Sequence, residues 1–124
     1  MVFTATGLRQ TLIFATVFLV SPLVSAHAHL KAQTPAASAQ LTAAPQTLTL
    51  NFSEGIEPKF SGLTVTDAHK QPVKTGVATR SDEDKTQMVV PLTQSLQPGD
   101  YTVDWHVVSV DGHKTRGSYT FTVK

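Results

Sequence analysis

In DYTVDWHVV every second residue is large and apolar: Tyr101, Val103, Trp105 and Val107 alternate with Thr102, Asp104 and His106. Successive side chains point to opposite faces in an extended chain, so this is the period of a half-buried strand. A slip of one residue would turn the whole apolar set toward water, which pins the register. The same period returns in Leu48, Leu50 and Phe52, in Leu63 and Val65, in Met88 and Val90, and in Tyr119, Phe121 and Val123. Turn formers separate these runs at Ser61-Gly62, Gln71-Pro72, Ser81-Asp82, Pro98-Gly99 and Asp111-Gly112.

Beyond its first 26 residues the chain carries no helical periodicity. Six or seven short strands with frequent turns predict an all-β fold, an immunoglobulin-like antiparallel β-sandwich with Greek-key connections. Tyr101 follows the Pro98-Gly99 turn and opens the longest strand, as in a tyrosine corner. Trp105 shares the inward face with Tyr101 and Val103 and is expected in the core, as is Met88. The stretch LKAQTPAASAQLTAAP is poor in large apolar residues and reads as a short first strand followed by a loop containing Pro35 and Pro45. There is no cysteine, which rules out disulfides, thiolate metal sites and cysteine nucleophiles.

The run Thr11 to Val24 is apolar and uncharged, preceded by Arg9 and followed by the small residues Ser25 and Ala26. It is shorter than the about 20 residues of a membrane span and contains Pro22, so it reads as a cleaved secretory leader. Cleavage after Ala26 divides the chain into a signal peptide, 1–26, and one mature domain, 27–124; cleavage after Ala28 also satisfies the small-residue rule. Either cut leaves a histidine first. Loss of Arg9 leaves nine basic and nine acidic side chains, scattered and mixed, which argues against a nucleic-acid partner.

A chain beginning at His27 offers an α-amine and an imidazole that can close a chelate ring on one metal ion. The amine ordinarily titrates near 7.7–8.0, so a metal can displace its proton near neutral pH. Nitrogen donors favour copper in the divalent series, and a tetragonal nitrogen and oxygen set suits Cu(II). A second constellation is VVSVDGHKTRG, where Asp111 and His113 flank Gly112. Residues two apart in an extended backbone face the same side, so carboxylate and imidazole could hold one ion. The plainer reading is a hairpin turn, for which Asp-Gly is a strong signal.

Both pieces occur together and in order. HAHLKAQTP, NFSE, PGDYTVDWHVVSVDGH and GSYTFTV resemble the CopC/PcoC family of periplasmic copper-binding proteins, over essentially the whole of 27–124. The resemblance implies a periplasmic protein, expected to be a monomer, that holds one Cu(II) ion per chain through His27, Asp111 and His113. It also implies copper exchange with an inner-membrane CopD-type transporter, and makes Glu54, in NFSE, a weaker oxygen-ligand candidate. Family members with a Cu(I) site carry a methionine-rich loop, whereas TDAHKQPVKTGVATRSDEDK has no methionine, so no Cu(I) site is expected.

His27-Ala28-His29 raises a rival geometry, in which the amine, two ionised amides and the third-position imidazole wrap Cu(II) in a plane. His69 is expected to face solvent, His106 to face water or the second layer, and the run SDEDK to be an exposed acidic turn. Two other functions compete. A terminal histidine paired with a second imidazole also suits a copper-brace oxidative enzyme, although Asp111 would occupy a position that such chemistry needs open. A metal-free interaction module would make every histidine incidental. No hydrolase motif is present, and a non-enzyme is expected.

Overall fold

The computed structural model describes residues 28–124. Among the described residues nine strands run in chain order: β1 (Leu30–Thr34), β2 (Ala39–Leu41), β3 (Thr47–Phe52), β4 (Gly62–Thr66), β5 (Pro72–Val73), β6 (Thr79–Arg80), β7 (Gln87–Pro91), β8 (Gly99–Val108) and β9 (Lys114–Val123). They form a four-stranded sheet in the order β1-β3-β7-β6 and a five-stranded sheet in the order β2-β9-β8-β4-β5. A 3-10 turn, Pro58–Phe60, lies where the chain passes from β3 in one sheet to β4 in the other.

The alternating residues form the core as their period demands. Leu48, Leu50 and Phe52 of β3 and Met88 and Val90 of β7 are buried, and so are Val103, Trp105 and Val107 of β8. The Phe52 ring meets the Trp105 ring edge-on, with centroids 5.2 Å apart, tying the two sheets together through their largest side chains. Tyr101 closes the expected corner: its hydroxyl donates to the Gln97 carbonyl at 2.5 Å, while its ring stacks on Phe121.

The sandwich differs from the expected pattern in three places. The loop after β1 contains β2, which runs parallel to β9, so the five-stranded sheet is mixed. Backbone pairing along the β9 edge needs no apolar alternation in Ala39-Gln40-Leu41. The two-residue strands β5 and β6 pair with β4 and β7 and are too short to show a period. Strand β9 begins at Lys114, earlier than its apolar alternation, because Gly117 replaces a large inward residue beneath Trp105.

Candidate metal centre

The longest hairpin, β8 to β9, carries the Asp-x-His pair at its tip. The Ser109 amide donates to the His113 carbonyl at 2.9 Å, and the Gly112 amide to the Ser109 carbonyl at 2.8 Å, closing the turn. Gly112 sits at φ +89°, a left-handed conformation that glycine adopts without steric cost. The turn brings Asp111 and His113 together: Asp111 Oδ2 lies 3.0 Å from His113 Nδ1, with both side chains partly exposed to solvent.

Ser109, which the motif reading passed over, organises this pair. It is wholly buried, and its hydroxyl donates to Asp111 Oδ1 while accepting from the His113 amide at 3.2 Å. The sequence held a signal for it, because Ser109 continues the inward series Trp105, Val107 and is the one polar member. Ser109 first, and His113 second, hold the Asp111 carboxyl below the ordinary carboxylate range. Asp111 therefore stays anionic into more acidic solution than an isolated carboxylate.

The chain enters the fold beside this hairpin. Ala28 is wholly buried, and its carbonyl accepts a hydrogen bond of 2.9 Å from the Thr115 hydroxyl, two residues beyond His113. The next residue is bound on the other side: the His29 amide donates to Ser53 Oγ, and the Ser53 amide donates to the His29 carbonyl, both at 2.8 Å. His27 itself lies outside the described residues.

Among the described residues no three His, Asp or Glu side chains converge into one metal-binding group. Glu54 and His29 thus do not complete a set with Asp111 and His113, although the Val110 amide donates to the Gly55 carbonyl at 2.9 Å and draws the two segments together. His69 is exposed in a turn whose backbone amides, at His69 and Gln71, donate to Asp67 Oδ1. His106 faces outward into a groove of about 740 Å³ on the five-stranded sheet, lined also by Phe60, Lys114 and Arg116. The SDEDK run is a turn, in which Asp84 accepts hydrogen bonds from the Thr86 amide and hydroxyl. Those bonds lower its pKa.

Comparison with known proteins adds three findings. Residues 30–124 match the family model for the CopC domain. Protein YobA of Escherichia coli K12 is 60% identical over 98% of each chain, and copper resistance protein C of Escherichia coli is 43% identical over 80% of this chain and 82% of its own. The crystal structure of PcoC, a methionine-rich copper resistance protein from Escherichia coli, superposes with a TM-score of 0.72 at 39% identity, covering 80% of this chain and 100% of that one.

Proposed function

This chain belongs to the CopC family, and on that premise we propose that it is a periplasmic Cu(II)-binding protein that sequesters copper or passes it on. The mature domain, 27–124, follows removal of the leader 1–26. One Cu(II) ion is held by the amine and imidazole of His27 together with Asp111 and His113.

The observation that carries this reading is the Asp111–His113 pair. Bonds from a first-row metal to nitrogen or oxygen are about 2 Å long, so two donors at right angles on one ion stand about 2.8 Å apart. The 3.0 Å between Asp111 Oδ2 and His113 Nδ1 matches that edge in length, and each group would turn from the other toward the ion. The cation would replace the hydrogen bond that joins the pair, and the lowered Asp111 pKa supplies the anion.

The backbone around Ala28 weighs against the rival wrap through His27, Ala28 and His29. That wrap needs the Ala28 and His29 amides as ionised donors, yet Ala28 is wholly buried and the His29 N–H is engaged by Ser53. The same bonds favour cleavage after Ala26, because a chain starting at His29 would lose the residue that Thr115 holds. Met88 is buried in the core, which suits a Cu(II) carrier without a thioether site. Copper then passes to or from an inner-membrane transporter of the CopD type, and the carrier acts as a monomer without catalysis.

The test is a mature protein carrying one extra residue before His27, which removes the chelating amine and leaves the fold intact. Cu(II) binding should weaken by at least tenfold, with fewer nitrogen couplings in the copper EPR spectrum. Native affinity in the extended protein would refute the reading.

A further inference from the structure

We infer that Thr115 is a positioning residue for copper, acting through the Ala28 carbonyl to aim the first residue of the mature chain at the hairpin. The inference rests on the ligand set His27, Asp111 and His113 proposed above.

The peptide group joining Ala28 to His29 is held from both sheets at once. Its carbonyl is bound by Thr115 of β9 in the five-stranded sheet, and its N–H by Ser53, just past β3 of the four-stranded sheet. The Ala28 side chain is buried, so the plane of this peptide cannot turn without opening the core. A chain end usually frays unless it is tied down. Here the tie lies one residue after the terminal ligand, which leaves few torsions between His27 and a fixed point.

The choice of side chain at 115 fits this role. Thr115 pairs across the hairpin with Val107, and facing residues of an antiparallel pair share a side of the sheet. On that side Val107 and Phe121 are buried and apolar, so valine would suit packing alone. Thr115 is half-buried, and its hydroxyl donates to the Ala28 carbonyl, 87 positions away in sequence. Strand β9 thus begins directly after His113, the last residue of the hairpin loop, and carries the bond that ties down the Ala28 carbonyl.

Groups that orient metal ligands without touching the ion cost about 10–100-fold in affinity when removed. Thr115→Val, close in shape but lacking the hydroxyl, should weaken Cu(II) binding within that range. Its copper EPR spectrum should show loss or heterogeneity of the nitrogen couplings from His27. Thr115→Ser should restore both affinity and spectrum. Thr115→Ala provides a second hydroxyl-free protein if the valine variant does not fold, as judged by its circular dichroism.

His113→Asn serves as the control for the ligand set. If a hydroxyl-free protein binds Cu(II) within threefold of native while His113→Asn has lost binding, the role of Thr115 is overturned and the proposed function stands. If His113→Asn and the one-residue extension both bind at native strength, the ligand set fails and the role of Thr115 with it.

Discussion

Asp111 and His113 stand out in the sequence as a carboxylate and an imidazole two residues apart, and it is the turn at Gly112, not an extended period of two, that brings them to 3.0 Å. Ser109 was harder to see: a serine just past a strand has no fixed role until its partner is known, and the partner here is the Asp111 carboxylate. Its contribution can be isolated by pH. The hydroxyl lowers the Asp111 pKa, so under the ligand set proposed above the carboxylate would stay available to copper as the solution becomes acidic. Ser109→Ala removes the largest cause of that lowering. The pH at which Cu(II) binding is half lost should therefore move upward, with little change near pH 7, as read by copper titration across the acid range. An acid limb that stays in place would show that Ser109 serves packing alone. The same sign governs metal-free stability: a lowered carboxylate pKa stabilises the fold above the unfolded value near 3.8, and this is lost as pH falls through the folded value.

Among the elements, the long strands follow directly from alternation, whereas β2, β5 and β6 do not, because two or three residues held by backbone pairing leave no apolar signature. Strand β9 combines both cases. Its second half, Tyr119 to Val123, alternates plainly; its first half is disguised by Gly117, over which the Trp105 ring lies. A Cβ at 117 would stand 2.5 Å from Trp105 Cζ2 and 2.8 Å from Cε2, and a rigid indole cannot give way as a flexible chain end would. Gly117→Ala should force Trp105 out of its edge contact with Phe52. Overpacking of this kind costs about 1–3 kcal/mol. Urea unfolding should show a lower midpoint, and Trp105 fluorescence in the native state should shift. The hairpin tip lies beyond Val108 and Lys114, so copper affinity in the folded variant should stay within a few-fold of native.

At the scale of the whole molecule, a sandwich was readable from the period and the turns, but its closure beside the Asp111–His113 hairpin was not. That closure depends on hydrogen bonds such as Thr115 to Ala28, between residues that no local pattern relates. With no disulfide, stability rests on the common core, and one member of that core is imperfectly matched. The Tyr119 hydroxyl is buried and has no hydrogen-bond partner among the described residues. A buried hydroxyl without a partner costs about 1–3 kcal/mol relative to its solvation in water. Tyr119→Phe keeps the ring and drops the hydroxyl, and should raise the thermal midpoint by several degrees. Burial also pushes the Tyr119 pKa up to about 12, from an ordinary 10.0. Between those values the unfolded chain releases a proton that the folded chain retains, so native stability falls as pH rises from 10 toward 12. Tyr101, raised mainly by burial, adds a decline of the same sign. Denaturant melts at pH 8 and at pH 11 should show a smaller alkaline loss in Tyr119→Phe than in the native protein; an equal loss in both would mean that water reaches the Tyr119 hydroxyl within the folded sandwich.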